Sequence, residues 1–371
     1  MQFAQINGQE ELKAHLIQEV NGGKISHAQL FLGKAGHGTL PLALAFVQYL
    51  FCENKQATDS CGVCASCRKV SELQHPDLHF AFPAVQAIAK TSNGFLKEWR
   101  TQINEQALFD LYDWTKRIDS KERKPIIGTE ESLEIVKKLA LKSYEGGYKV
   151  MLIWMAEEMN ATCSNKLLKI LEEPPAKTLF LLVAESQDKL LTTILSRSQV
   201  MRVPSLPLDV LQSAIEKVGL SRQQAESLAA RCGGNLLEAY RLMGNTDEID
   251  LNRELFIQLM RVCFKKDVNA MLDWTENVSN LSREGQKIFT LYALHMVRQS
   301  LLKNYTEEML VRVSKEEADF LKNFARFITN NNAFDFMNIF NDAHYHLDRN
   351  ANPKILFTQL CFQVMRFIHK A

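Results

Sequence analysis

The chain has 371 residues, 46% of them hydrophobic and 9% aromatic, enough apolar material for two or three packed domains and too much for a disordered chain. Lys and Arg total 44 against 43 Asp and Glu, so no molecule-wide basic field holds nucleic acid and any such contact is local or shared with partners. Met1-Gln2-Phe3-Ala4-Gln5 is not a basic stretch leading into an apolar run, and no run of about 18 apolar residues occurs, so the cytoplasm is expected rather than secretion or a membrane.

Short apolar runs without polar alternation predict buried strands at Ala28–Gly33, Leu78–Phe82, Val150–Trp154 and Thr178–Ala184, with a weaker one at Gln199–Val203. Helical patterns separate them, so the first two thirds of the chain reads as α/β with a parallel sheet covered on both faces. Directly after the first strand, Gly33-Lys34-Ala35-Gly36-His37-Gly38-Thr39-Leu40 has the glycines of a phosphate-binding loop, whose backbone N–H groups wrap phosphate oxygens. A working loop continues with a lysine for the β- and γ-phosphates and a Ser or Thr hydroxyl for Mg²⁺. Thr39 and Leu40 stand in those places. Gly33, Gly36, Gly38 and Thr39 are therefore the candidate contacts of a degenerate loop, and ATP binding by this chain is expected to be weak or absent.

Eight cysteines in a cytosolic chain are not expected to form disulfides. Cys52, Cys61, Cys64 and Cys67 are spaced so that two overlapping C-x2-C turns bring four thiolates onto one tetrahedral ion at about 2.3 Å, with zinc the expected occupant. Hydrophilic neighbours such as Asp59, Ser60, Ser66 and Arg68 separate this group from incidental core thiols. Four thiolates close the coordination shell, so the metal would be structural. Cys163, Cys232, Cys263 and Cys361 sit alone in apolar helical contexts and read as core fillers.

The segment from Pro83 to Pro125 interrupts the sheet pattern. Leu96, Trp99 and Ile103 fall at helical spacing, and the charged run Arg117 to Lys124 follows, so a helical excursion with a solvated tip is expected. A basic loop that touches DNA is the competing reading, and Asp119 and Glu122 weaken it. Val150–Ile153 then supplies the strand on which a nucleotide motor carries its Mg²⁺-holding acids, but Trp154 and Met155 follow instead. Glu157 and Glu158 come later and read as first-turn charges favoured by a helix dipole. Asn160 caps a helix over residues 161–173, and Pro174 ends it. After a strand and a connecting helix over Lys189–Leu195 comes Ser196-Arg197-Ser198, in which Arg197 is either a surface charge or a cation able to reach a γ-phosphate on a neighbouring subunit.

Eight of the nine prolines precede residue 208 and the ninth is Pro353, so the C-terminal part is expected to be all-α. Residues 208–243 fit three short helices with Ser221 and Asn235 as N-caps and Gly219 and Gly233 as stops, and Gly244-Asn245-Thr246-Asp247 reads as a linker. Leu255, Leu259, Val262, Cys263 and then Phe320, Phe324, Phe327, Ile328 mark a helical domain beyond it.

Together these motifs resemble the bacterial clamp-loader ATPases, an AAA+ family. The resemblance rests on His27-Ala28-Gln29-Leu30-Phe31-Leu32-Gly33, the cysteine insertion, and His75-Pro76-Asp77. It also rests on Tyr144-Glu145-Gly146-Gly147-Tyr148-Lys149-Val150, the run from Asn165 to Pro175, and Leu195-Ser196-Arg197-Ser198. It covers roughly residues 1 to 245. It implies an AAA+, P-loop NTPase-like sheet domain over 1–204 with a zinc module at 52–67 and the excursion at 83–125, a helical lid over 205–246, and an all-α collar over 250–371. It also implies that Cys52, Cys61, Cys64 and Cys67 bind Zn²⁺ and that Arg197, beside Ser196, is an arginine finger acting in trans on a neighbour's ATP. Expected partners are tau/gamma and delta clamp-loader subunits in a hetero-pentamer, the sliding clamp, and primed DNA in the assembled complex, with no membrane. Ser198 departs from the family's usual cysteine, Leu237 stands where motor subunits carry a nucleotide-sensing arginine, and the 83–125 segment is longer than the family's usual connection.

The leading expectation is a non-hydrolysing subunit of the DNA polymerase III clamp loader, not catalytic on its own. An active tau/gamma-type motor would need lysine at 39 and acid at 154 or 155. A zinc-dependent DNA-binding module would need more basic residues beside the cysteines than Arg68-Lys69.

Overall fold

The computed structural model describes residues 1–244, 246–305, 311, 313 and 315–370. Five strands form one sheet, β1 (Ala28–Leu32), β2 (Leu78–Ala81), β3 (Lys149–Trp154), β4 (Thr178–Ala184) and β5 (Gln199–Arg202). Their order is β2-β3-β4-β1-β5 and every pairing is parallel, the AAA+ arrangement the motifs imply. All residues of β1, β3 and β4 are buried, which is why their sequences are apolar without alternation. The strand period of two still sorts them. Phe31, Val150, Leu152, Leu181 and Val183 join the core under helix Thr39–Phe51, and Leu30, Met151, Ile153, Leu182 and Ala184 join the core under helices Thr129–Ala140 and Ala161–Glu172. In β5 only Met201 is buried, as suits an edge strand.

The chain divides by its internal packing into two units, residues 1–219 with 232–239, and the remainder. The second unit is helical in its described residues, with Phe256, Leu259, Trp274, Phe289, Met296, Phe340, Phe357 and Val364 in its core. Local chemistry sets its helix starts. Asp267 accepts the Ala270 N–H at 3.1 Å ahead of helix Val268–Ser279, and Asn352 accepts the Lys354 N–H at 3.0 Å ahead of helix Pro353–Ile368. The isolated ninth proline thus occupies a first helical turn, where its missing N–H costs nothing.

Helices Leu208–Glu216, Arg222–Cys232 and Leu236–Gly244 match the three expected, with Asn235 accepting the Glu238 N–H at 3.1 Å and Ser221 hydrogen-bonded with Gln224. The linker expected at 244–247 is corrected: Gly244 ends helix Leu236–Gly244, and Thr246 and Asp247 already begin helix Thr246–Lys265, with only Asn245 between them lying outside the described residues. The connecting helix expected over 189–195 is shorter, Thr192–Leu195 behind a 3₁₀ turn at Gln187–Lys189. No helix among the described residues is long and apolar enough to cross a membrane.

The 83–125 segment is helical, over Leu96–Glu105 and Leu111–Ile118, but it is no mere excursion. Its ends are pinned together by reciprocal backbone bonds between Ala84 and Ile126, 2.9 and 3.0 Å. Between them Phe95, Trp99, Ile103, Phe109, Trp114 and Ile118 are buried in the sheet domain's main core. The tip, residues 120–124, is exposed as expected. Its cations are largely engaged within the chain: Arg117 with Glu105, Arg123 with Asp119 at 2.8 Å, and Lys124 with Glu158 at 3.0 Å. Arg123 holds the Asp119 carboxyl well below the ordinary carboxylate range.

Candidate functional site

The degenerate loop follows β1, and packing accounts for its glycines. A Cβ on Gly33 would stand 2.4 Å from the Val203 carbonyl oxygen, and one on Gly36 would stand 1.6 Å from Asn235 Oδ1 and 2.9 Å from the Leu237 nitrogen. Gly38 has φ +86° at the start of helix Thr39–Phe51. Thr39 is buried, and so is Leu237, where an arginine would sense nucleotide. Three of the loop amides are engaged within the chain: His37 N–H donates to the Lys34 carbonyl at 2.9 Å, Gly38 N–H to the Ala35 carbonyl at 3.0 Å, and Ala35 N–H to Glu185 Oε1 at 3.0 Å. Gln9 Nε2 reaches the Pro204 carbonyl at 2.8 Å and the His37 carbonyl at 3.2 Å, closing the loop from the other side.

At the end of β3, Trp154 occupies the place where a motor has a carboxylate, and its indole is packed rather than solvated. Its ring centroid lies 4.8 Å from Phe109, 5.3 Å from Trp99 and 6.4 Å from Trp114, and Trp99 stacks on Phe82 at 4.3 Å. The long segment and the lost carboxylate are therefore one feature. Spacing alone relates neither tryptophan of the segment to residue 154, although Leu96, Trp99 and Ile103 on one helical face are the signal that could have pointed to a core role.

Glu157 and Glu158 do fall in the first turn of a short helix, the 3₁₀ segment Ala156–Glu158, but each also has specific partners. Glu158 pairs with Lys124, and Glu157 Oε1 accepts the N–H groups of Glu185 at 2.7 Å and Ser186 at 3.2 Å. Burial pushes the Glu157 carboxyl up to about 7, and its Oε2 has no hydrogen-bond partner. Glu185 itself carries no motif and was invisible to spacing.

The four cysteines converge. Cys52 ends helix Thr39–Phe51, Cys64 is the N-cap of helix Ala65–Ser71, and the four sulfurs lie within 4.8 Å of one another. Backbone N–H groups point at them: Cys61 N–H to Cys52 Sγ at 3.3 Å, Cys64 N–H to Cys61 Sγ at 3.4 Å, and Cys67 N–H to Cys64 Sγ at 3.4 Å. Such donors from Val63 and Cys64 lower the Cys61 thiol to about 6, while burial raises Cys67. Four sulfurs with inward-turned amides are a donor set suited to a tetrahedral divalent metal. The module is tied in by Glu145, which accepts from Lys69 Nζ at 2.5 Å, His75 Nε2 at 3.1 Å and Ser66 Oγ at 3.3 Å. Asp77 N–H donates to His75 Nδ1 at 3.2 Å, so the proton sits on Nε2, and burial keeps the ring neutral by lowering its pKa. Cys163, Cys232, Cys263 and Cys361 are buried, as expected of core thiols.

Arg197 lies in the turn before β5. Its Nε donates to Glu172 Oε1 at 2.6 Å, and its Nη1 donates to the Thr193 carbonyl at 2.9 Å and to Ser196 Oγ at 3.2 Å, leaving the side chain 32% exposed. Because β1 and β5 run parallel with Gln29 opposite Gln199 and Leu32 opposite Arg202, Arg197 sits before one end of the sheet and Gly33 beyond the other. At about 3.3 Å per residue the two levels are roughly 20 Å apart. Arg197 and the loop of its own chain are thus not one site.

A family model described as DNA polymerase III, delta subunit, matches residues 8–207. The DNA polymerase III subunit delta' of Bacillus subtilis is 30% identical over 255 residues, 69% of this chain and 65% of that protein. The subunit delta' of Pseudomonas aeruginosa is 30% identical over 227 residues, 60% and 58% of the two chains, and the subunit tau of Salmonella typhimurium is 28% identical over 216 residues, 58% and 27%. The chain spans less than two thirds of the length of each of these relatives. Among solved structures, a DNA polymerase III gamma subunit-related protein from Thermotoga maritima aligns over 97% of this chain and 100% of that one, with 14% identity and a TM-score of 0.41.

Proposed function

The chain belongs to the family described as DNA polymerase III, delta subunit, and on that premise we propose that it is the delta' subunit of a replicative clamp loader and hydrolyses no ATP itself. The observation that carries this reading is the separation of two chemistries: Thr39 in the chain's own loop and Trp154 at the end of β3 stand in place of a lysine and a carboxylate, while Arg197 stands partly exposed at the far end of the sheet. In the assembled ring the guanidinium would meet the γ-phosphate of ATP held by an adjacent tau/gamma subunit. Ser196 Oγ, the Thr193 carbonyl and Glu172 orient the fork beforehand, so little side-chain freedom is lost when a phosphate oxygen takes the place of a carboxylate oxygen. A finger of this kind is worth about 10³–10⁵ in rate.

In this reading residues 1–204 form the sheet domain, 205–246 the lid and 250–371 the collar that joins delta and tau/gamma neighbours in a hetero-pentamer, which loads the sliding clamp on primed DNA. Zn²⁺ held by Cys52, Cys61, Cys64 and Cys67 would brace the module and take no part in chemistry. Arg197→Ala is expected to leave folding and assembly intact while lowering ATP turnover at the site it faces by about 10³-fold, read as steady-state ATPase of the reconstituted complex. Unchanged turnover in an intact complex would remove the finger assignment.

A further inference from the structure

In a loop built for phosphate, the amides wait for an anion. Here the anion is part of the chain. Glu185 follows β4, and β4 pairs with β1 so that Ala184 stands opposite Leu32, which brings the Glu185 side chain level with the loop as it leaves the sheet. Its Oε1 accepts the Ala35 N–H at 3.0 Å and its Oε2 lies 3.5 Å from Lys34 Nζ. A backbone N–H and a lysine ammonium are the two donor types such a loop offers to phosphate. The carboxylate is also aimed, because Glu157 fixes the backbone of Glu185 and Ser186 through the bonds to its Oε1. On the loop's outer side the segment 232–239 is docked: Leu206 N–H donates to the Gly234 carbonyl at 2.9 Å, and Asn235 occupies the volume that any side chain at Gly36 would need.

We propose that Glu185 is a built-in substitute for phosphate, holding residues 34–38 ordered and the segment 232–239 closed upon them without nucleotide. The subunit then has a single loop state, and the reading of Arg197 is independent of it because the two residues lie at opposite ends of the sheet.

The test is hydrogen exchange read by mass spectrometry on the full chain and its Glu185→Ala and Glu185→Gln variants, with residues 149–154 of β3 as the internal gauge of intact folding. Glu185→Ala is expected to speed exchange over 34–39 by about tenfold while β3 stays protected, a hydrogen bond to a charged group having been lost. Millimolar inorganic pyrophosphate should slow that exchange again in Glu185→Ala and leave the native chain unchanged. Glu185→Gln, which keeps an acceptor without the charge, should fall between the two, and it carries the test if Glu185→Ala loses β3 protection. Native-like exchange over 34–39 in a folded variant, or a native chain that answers pyrophosphate as strongly as Glu185→Ala, would overturn the proposal. Neither result would alter ATP turnover lost in a complex bearing Arg197→Ala.

Discussion

At the C-terminal end of the sheet, groups in the places where a nucleotide motor works are turned inward: Gly36 packs on Asn235, Ala35 bonds Glu185, and Trp154 is enclosed by rings. At the N-terminal end, Arg197 presents a partly exposed guanidinium. The cysteine centre lies toward that same end, because helix Thr39–Phe51 runs back from the loop over about 20 Å before Cys52. The difference teaches that the side chains at one end of a sheet can be turned inward while a cation at the other end stays partly exposed. Each edge is held by its own local interactions, with the sheet core between them.

The sharpest attack on this contrast is to write the missing acid back. Trp154→Asp should cost about 4 kcal/mol or more, since it opens a cavity among Phe82, Trp99, Phe109 and Trp114 and buries an unpaired charge there. Urea denaturation reads the loss. No ATP hydrolysis should appear, and its appearance would mean that the loop end is closed by one side chain alone.

At the opposite end, Cys64→Ser should release the metal and destabilise the sheet unit by about 2–4 kcal/mol, checked by metal analysis and thermal unfolding with and without chelator. Full thermal stability after chelation would remove the structural role of a metal.

A smaller effect is expected at Glu157. Its native carboxyl titrates near 7 against an ordinary 4.5, so the folded chain keeps a proton that the unfolded chain has already released over that interval. Stability should therefore fall as pH rises from about 4.5 to 7 and stay low above it. Glu157→Gln should recover about 2–3 kcal/mol at pH 8 and almost nothing at pH 4, read as the difference in Tm across that range. An equal gain at both pH values would assign the effect to packing.

The legible parts of this molecule were those written as local pattern. Val150–Ile153 and Thr178–Ala184 announce buried parallel strands because both faces need apolar side chains, and the cysteine spacing announces convergence because two turns force it. The defects at Thr39, Trp154 and Leu237 were visible as substitutions. What replaced the lost chemistry was not. Glu185 lies 150 residues from Ala35, and a carboxylate after a strand has no signature. The partners of Trp154 lie in a segment whose length suggested an appendage, although its tryptophans belong to the core.

The same ring cluster gives the chain a lopsided optical signature. Of its four tryptophans, Trp99, Trp114 and Trp154 lie with centroids 5.3–6.4 Å apart in the sheet unit, while Trp274 stands alone in the helical unit. Indoles this close couple their transitions, so the exciton part of the near-ultraviolet circular dichroism arises in the sheet unit, while Trp274, buried against Phe289 and Phe357, reports the helical unit. A melting curve followed through the coupled bands thus watches one unit, and one followed by heat capacity weighs both.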